Sequence, residues 1–217
     1  MSKLLTEQNF KDTASDLQIE VAVIKAVAEV ESRGEGFFSD GRPKILFEAH
    51  IFSGKTGHKY DTSHPNISSR KWNRKLYKWG AKEYDRLKEA MALDRVAALK
   101  SASWGKFQVM GFNAEICGWD DVEKFVVDMY KNEAEHLKSF TGFIKANKLE
   151  KYLQSKNWAK FARAYNGPAY AQNKYDEKMK EAYEKYAKQV IVEETEPDAG
   201  IEFGGGGFQG HGTSGEY

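Results

Sequence analysis

The sequence predicts a mainly α-helical (α+β) domain with a small β or loop region and a flexible C-terminal tail. Three observations lead to this prediction. Apolar residues recur with helical spacing on both sides of a region, roughly residues 34–78, that is rich in Gly, Ser, His, Asn and Lys. Residues 193–217 hold eight glycines and almost no apolar periodicity, so they cannot bury enough surface to offset their ordering entropy. We therefore expect one domain over residues 1–190 and a flexible tail over residues 191–217.

Helices account for most of the predicted domain. The apolar residues with helical spacing are Ile19, Val23, Ala26, Val27 and Val30 in one segment, and Val122, Phe125, Val126, Met129 and Leu137 in a longer one. Further helices are expected over residues 7–16, 81–98, 148–155, 157–165 and 172–188, and a short strand over residues 44–48. A single domain of this size buries roughly 70% of the surface that its unfolded chain exposes, so one core is sufficient.

Simple counts exclude several classes of protein. The single cysteine, Cys117, cannot form an internal disulfide, and the separations of His50, His58 and His64 match no common zinc pattern. No apolar run approaches the ~20 residues of a membrane-spanning helix, and the N-terminus lacks the apolar segment of a signal peptide. We therefore expect no metal, no cofactor and no membrane insertion, with synthesis in the cytoplasm.

Charge is distributed unevenly along a chain whose net charge is only +1. Residues 191–217 contain six acidic side chains and no Lys or Arg, which leaves residues 1–190 with a net charge of +7. A basic domain suits an anionic polymer such as nucleic acid, a lipid surface or bacterial cell wall, although the same charge also keeps a domain soluble. The basic and aromatic segment 70–79 fits nucleic acid or cell wall, or a solvated face anchored by its tryptophans.

Glu31 is the most informative single residue. It lies seven positions after Ile24, about two helical turns, and therefore on the same apolar stripe as Val27. The glycines in residues 32–36 predict that the helix ends at this point. Desolvation and the negative end of the helix dipole both favour the protonated form of a carboxyl group there, which is the form that a general acid needs. Spacing alone also allows, and somewhat favours, a buried ion pair with a basic residue such as Arg163.

Two other segments carry candidate binding residues. Residues 101–111 combine small residues and glycines with Trp104 and Gln108, which could contact a polar ligand by stacking and by amide hydrogen bonds. A turn in which Gln108 caps a neighbouring helix is an equal alternative. The helix predicted over residues 157–165 runs into Asn-Gly-Pro, which places Tyr165 and Asn166 at a helix end. Both could face a cleft, or Tyr165 could belong to the core.

These three segments occur in an order that is typical of one family. Residues 28–32 (AEVES), 103–110 (SWGKFQVM) and 164–168 (AYNGP) resemble the Glu-Ser, Gly-x-x-Gln and Tyr-Asn motifs of lysozyme-like muramidases, a plan shared by soluble lytic transglycosylases and goose-type lysozymes. The match is closer to the N-acetylmuramidase domain of phage endolysins. It also takes in residues 40–43 (DGRP), 45–48 (ILFE), 90–94 (AMALD) and 172–173, and covers about residues 15–188.

The resemblance implies a lysozyme-like fold and an enzyme that cleaves the β-1,4 bond between N-acetylmuramic acid and N-acetylglucosamine in peptidoglycan. The partner is then the glycan strand and not a nucleic acid. Glu31 would protonate the glycosidic oxygen. Ser103 and Gln108 would bind substrate, Gln108 through an acetamido or hydroxyl group, and Tyr165 and Asn166 would hold Glu31 or the adjacent sugar.

The second catalytic group is less well defined by the resemblance. Glu48 is the first choice because it lies in the matching ILFE segment, although an ion pair with Arg42 or His50 would also explain it. The outside candidates are Glu35, Asp40 and Asp61. A second carboxylate roughly 6.5–9.5 Å from Glu31 would give inversion, and one at roughly 5–5.5 Å retention. With no second carboxylate, the enzyme would be a lytic transglycosylase that forms an anhydromuramic product.

A non-catalytic cell-wall binding module is the alternative outside enzymes. In either case the site of action is the periplasm or cell wall, reached after release or through delivery by a phage or secretion apparatus. The acidic, glycine-rich tail is then a candidate docking peptide for a delivery partner.

Overall fold

The structure, a computed structural model, describes residues 3–32, 34–167, 171 and 173–195, with side chains as far as residue 189. In chain order the elements are α1 (Glu7–Leu17), α2 (Val21–Glu31), β1 (Ile45–Phe47), α3 (Ala49–Lys55), α4 (Glu83–Leu93), α5 (Arg95–Lys100), β2 (Ala102–Trp104), β3 (Val109–Met110), α6 (Val122–Met129), α7 (Glu133–Ala146), α8 (Glu150–Gln154), α9 (Trp158–Asn166) and α10 (Tyr175–Thr195). The predicted fold class, mainly α with a small β region, is confirmed.

Two of the predicted helices are each divided in two by a capping residue. Asp94 is extended (φ −156°) and accepts a hydrogen bond from the backbone N–H of Ala97, so it ends α4 and begins α5. Asn132 accepts in the same way from the backbone N–H of Glu135 and begins α7. The region predicted to be irregular also contains helix α3. The predicted boundary at residue 190 falls inside α10, and residues 196–217 of the predicted tail lie outside the described residues.

Helix α2 is the most buried helix that bears on the site. Its buried residues are Ala22, Val23, Ile24, Ala26, Val27 and Ala28. The helix ends at Glu31 as predicted, but not through a glycine cap. Ser32 leaves the helix in an extended conformation (φ −86°, ψ 135°), and the left-handed residue is Gly34 (φ +81°).

Helix α10 packs along α2 and is attached to its polar side by hydrogen bonds. The Tyr183 hydroxyl donates to Glu20 Oε2 at 2.7 Å, and Lys185 Nζ and Tyr186 Oη both donate to Glu29 Oε2. These exposed bonds add to the packing that holds α2 in place, which comes mainly from its six buried side chains. None of the helices in the described part of the chain is both long and apolar enough to cross a bilayer.

The three strands form one antiparallel sheet in the order β1-β2-β3. Ser103 on the central strand pairs with Leu46 on one side and Met110 on the other. The β2–β3 turn contains two residues with positive φ, Gly105 (+71°) and Gln108 (+51°). Most of the segment of small residues and glycines at residues 101–111 is therefore a β-hairpin.

Helix α7 supports this hairpin through two buried side chains. His136 donates from Nε2 to the carbonyl of Met129 at 2.8 Å, and its Nδ1 accepts from the backbone N–H of Lys106 at 3.1 Å. Glu133 accepts from the backbone N–H of Gly36 at 2.6 Å and from Lys106 Nζ. Because a Cβ on Gly36 or Gly105 would lie within 2.8 Å of the His136 ring, glycine is needed at both positions.

Candidate active site

A cleft of about 320 Å³ lies where the end of α2 meets the sheet and the end of α9. Its lining residues are Glu31, Leu46, Ser103, Phe107, Gln108, Val109, Met110, Asn113, Phe143, Tyr165, Asn166 and Tyr175. Five of the six residues predicted for the site therefore line one cleft, although they are drawn from three separate parts of the sequence. The sixth, Glu48, is not among the described residues that line it.

Glu31 is held at the cleft by Asn166. The Asn166 side chain donates from Nδ2 to Glu31 Oε1 at 2.8 Å, which joins the ends of α2 and α9. The alternative ion pair does not form: Arg163 is exposed, and no salt bridge between described residues joins it to Glu31. Asn166 thus contacts the carboxyl group itself, which is one of the two roles that the resemblance implied for it.

Tyr165 forms an aromatic wall of the cleft. Its ring stacks on Phe161 and meets Phe140 and Phe143 edge-on, and its hydroxyl donates weakly to the Phe107 carbonyl at 3.4 Å. Burial raises the pKa of the Tyr165 hydroxyl strongly, and the nearby negative charge of Glu31 raises it further. Tyr165 therefore remains a neutral phenol and packs in the core while lining the site.

Gln108 and Ser103 brace the hairpin. Gln108 Nε2 donates to the carbonyls of Gly105 at 2.8 Å and Lys44 at 3.1 Å, while its Oε1 accepts from Ser103 Oγ at 2.9 Å. Both N–H donors of the amide are therefore engaged within the protein. Its oxygen has a second lone pair, with which it can accept a bond from a ligand N–H.

Glu48 lies at the far end of β1 and is part of a hydrogen-bonded chain. Its Oε2 accepts from the Tyr77 hydroxyl at 2.7 Å and lies 3.3 Å from His50 Nδ1, and the Trp72 indole N–H donates to the same Tyr77 oxygen at 2.8 Å. The contact with His50 is one of the two pairings considered from the sequence. Burial and Glu48 raise the pKa of Tyr77 to about 12, so this phenol stays protonated and continues to donate.

The other acidic candidates, Asp40, Asp61 and Glu35, do not line the cleft. Asp40 Oδ2 accepts two hydrogen bonds from the Arg42 guanidinium group, and Asp61 is bound by Ser68 and Arg70. Glu35 is exposed and lines a smaller cavity beside the cleft. In the described part of the chain, Glu31 is the one carboxylate that lines the cleft itself, and no group of three or more His, Cys, Asp and Glu side chains could hold a metal ion.

Sequence reasoning missed two parts of this region. Phe107 and Phe143 line the cleft, and Tyr77 holds Glu48 from 29 residues away in the sequence. The aromatic composition of segment 70–79 was the available signal for Tyr77, because the hydroxyl of a buried tyrosine usually finds a hydrogen-bond partner.

A helical domain, one small antiparallel sheet and a carboxyl group in the cleft between them define a lysozyme-like glycoside hydrolase. The family model described as Muramidase, N-acetylmuramidase, matches residues 20–187. The crystal structure of the Burkholderia AP3 phage endolysin is similar to this chain, with a TM-score of 0.83 and 41% identity, and the match covers 87% of this chain and 73% of that one. No curated protein matches the chain.

The chain belongs to the N-acetylmuramidase family. It is a glycoside hydrolase that acts on peptidoglycan, the bacterial cell-wall polymer, as the sequence motifs predicted.

Proposed function

We propose that Glu31 is the general acid of this muramidase and that Glu48 is its second catalytic carboxylate. Glu31 donates its proton to the oxygen of the β-1,4 bond between N-acetylmuramic acid and N-acetylglucosamine as that bond breaks and an oxocarbenium-like state develops. Water adds its hydroxyl group to the sugar carbon and gives its proton to Glu48.

The hydrogen bond from Asn166 to Glu31 carries this proposal. Asn166 Nδ2 can only donate, so it fixes Glu31 Oε1 as an acceptor in either protonation state. With Oε1 engaged in this way, we place the acidic proton on Oε2, from which it would pass to the substrate. A carboxyl group whose two oxygens are distinguished in this way needs no reorientation before it donates.

The surroundings of Glu31 favour the protonated form. The walls of the cleft combine polar side chains with apolar ones, and the apolar residues include Leu46, Phe107, Val109 and Phe143. Removal of water from a carboxyl group disfavours its charge, as does its place in the last turn of α2. The bond from Asn166 is compatible with the protonated form, because an amide N–H binds a neutral carboxyl oxygen as well as a charged one.

Substrate binding follows from the geometry of the hairpin. Gln108 Oε1 already accepts from Ser103 and can accept a second bond from the N–H of an acetamido group. Because its amide nitrogen is bound to two backbone carbonyls, the oxygen is held in one position. We assign the recognition of an N-acetyl sugar beside the broken bond to Gln108, with Ser103 as its support.

The case for Glu48 depends on strand alternation. Leu46 lines the cleft, and Glu48, two residues later in extended conformation (φ −101°, ψ 97°), projects to the same face about 7 Å further along. Tyr77 and His50 both contact Oε2. Oε1 can therefore take the proton of a water molecule.

The biological role of the enzyme and its route to the cell wall are also proposals. Because the similar crystal structure is that of a phage endolysin, we propose that this chain also acts in lysis: it is made in the cytoplasm and reaches the wall through a membrane lesion, a phage particle or a secretion apparatus. The tail, residues 191–217, would serve as a docking peptide in that delivery.

The test is the release of soluble fragments from purified peptidoglycan by Glu31→Gln. We expect a loss of about 10²–10⁴-fold, the usual contribution of a general acid. The matched control is Glu29→Gln, a change of the same kind two residues earlier on α2, where the side chain is exposed and bound to Lys185. Full activity of Glu31→Gln, or an equal loss in Glu29→Gln, would overturn the assignment.

A further inference from the structure

The groove that contains Glu31 continues beyond the cleft. A second cavity of about 140 Å³ shares Leu46 and Gln108 with the cleft, so the two are neighbouring parts of one surface. Trp79 and Gly80 line this second cavity but not the cleft itself. A glycan strand that places one bond at Glu31 extends along such a groove for several sugars, because the substrate is a polymer.

Trp79 is unusually exposed for a tryptophan that lines a cavity. Its exposed fraction is 48%, although Tyr77 packs against it at 5.1 Å and Arg74 lies over its ring. A rigid indole offers a large apolar area with little conformational entropy to lose on binding. The C–H face of a hexosamine ring is a flat apolar surface of matching size.

The backbone of Trp79 is held in a strained conformation. Its φ of +60° and ψ of 151° belong to a region that is populated essentially by glycine. Such strain persists only where the surroundings enforce it, and it concentrates at functional sites. Here the strained residue carries a large aromatic side chain that lines the second cavity.

A buried carboxylate enforces this conformation. Glu83, which is fully buried, accepts from the backbone N–H of Trp79 at 2.9 Å and from that of Lys78 at 2.5 Å. Its other oxygen accepts from Arg86 Nη1 at 2.8 Å and from the Phe47 N–H at the end of β1. The position of Trp79 is thereby tied to the strand that carries Leu46 and Glu48.

We propose that Trp79 forms an outer sugar subsite, in which its indole stacks on an N-acetylhexosamine ring of the same glycan strand that Glu31 cleaves. This proposal rests on the proposed function, because it takes the direction of the strand from the bond at Glu31. Its occupant is the glycan, since the cavity is continuous with the catalytic cleft through Leu46 and Gln108.

The experiment compares Trp79→Ala, Trp79→Gly and Trp79→Phe. Initial rates are measured on purified peptidoglycan and on N-acetylglucosamine oligosaccharides of increasing length. We expect Trp79→Ala and Trp79→Gly to raise KM about fivefold to tenfold on peptidoglycan and on long oligosaccharides, with kcat changed less. Oligosaccharides too short to reach the outer subsite should show no change. Trp79→Phe keeps a ring and should retain most of the affinity.

Thermal unfolding separates binding from folding. Trp79→Gly places glycine in a glycine-favoured conformation, so its Tm should equal or exceed that of the wild type while its KM rises. A merely structural tryptophan would lower Tm and activity together.

The outcomes distinguish the two proposals. If the wild type cleaves peptidoglycan and all three variants keep its KM at every substrate length, the subsite is refuted and the catalytic assignment stands. An equal loss on short and long oligosaccharides would also refute it, because the tryptophan would then act at the cleft or through folding. If the Glu31→Gln test fails, the catalytic assignment fails. In that case, binding of the variants to insoluble peptidoglycan still tests whether Trp79 contacts glycan.

Discussion

Asn166 donates a hydrogen bond of 2.8 Å to Glu31 across 135 residues of sequence. The bond connects two helix ends that the chain brings together only in the folded state. It holds Oε1 of Glu31 in one position at the end of α2.

Asn166→Ala should lower kcat/KM on peptidoglycan by about 10–100-fold, because loss of one hydrogen bond to a charged or reacting group costs about 1.5–3 kcal/mol. KM should change little if the side chain positions Glu31 and does not hold the sugar. Initial rates over a range of peptidoglycan concentrations give both parameters, and thermal unfolding checks folding. Unchanged kcat in a folded variant would show that Glu31 is positioned by other contacts.

Glu48→Gln should lower the rate of hydrolysis by about 10²–10⁴-fold, because an amide cannot take the proton of the attacking water. Mass spectrometry of the products is the decisive measurement: hydrolysis adds one water per bond broken, and an anhydromuramic product lacks it. A wild-type digest that contains only anhydro products would remove the role given to Glu48.

Tyr77→Phe tests the support of Glu48. It removes the hydroxyl that donates to Glu48 Oε2 and accepts from Trp72, so we expect a smaller loss than in Glu48→Gln, about tenfold. The same product analysis and initial rates apply. A Tyr77→Phe enzyme that is fully active would show that Glu48 is held well enough by its remaining contacts.

Acid should destabilise the enzyme through His136. Burial lowers the pKa of His136 below its ordinary value of 6.5, so the unfolded chain binds a proton at this residue before the folded chain does. The contribution of His136 to the free energy of unfolding should therefore be fully present above pH 6.5. It should decrease as the pH falls below that value. Urea unfolding at pH 7.5 and pH 5 measures this change, with His136→Gln as the comparison. An identical pH dependence in the variant would contradict the assignment.

Gly105→Ala should destabilise the hairpin and lower activity. The new Cβ would lie 2.6–2.8 Å from the His136 ring, and φ is +71°. Gly57→Ala is a matched control, because Gly57 has a similar φ of +59° but no atom within 4 Å of the new Cβ. We expect about 1 kcal/mol for the control and about 2–4 kcal/mol for Gly105→Ala by urea unfolding. Equal losses would show that the contact with His136 relaxes at no cost.

The sequence predicted the helix ends better than the helix interiors. Glu31 and Asn166 were identified because an apolar stripe or a helix pattern stops at each of them, and stop signals are local. The breaks at Asp94 and Asn132 were missed because the apolar spacing continues across a capping residue, while α3 is only seven residues long, too short to show a period.

Local sequence patterns did not predict the contacts between distant parts of the chain. Glu48 binds Tyr77, and the fully buried Glu83 holds Trp79 and pairs with Arg86. No feature of residues 83–86 distinguishes this buried pair from the exposed charged residues of other helices. The resemblance to the family predicted that the three segments form one site, because the family motifs come from proteins with a common fold. Residue spacing within each segment carries no such information.

The most direct measurement compares two leaving groups in the wild type and in Glu31→Gln. On a glycan substrate the leaving alkoxide needs a proton, and the variant should be about 10²–10⁴-fold slower. On a dinitrophenyl glycoside of an oligosaccharide that the wild type cleaves, the leaving group departs without a proton, so the variant should keep most of the rate. An equal loss on both substrates would contradict the claim that Glu31 acts as the acid.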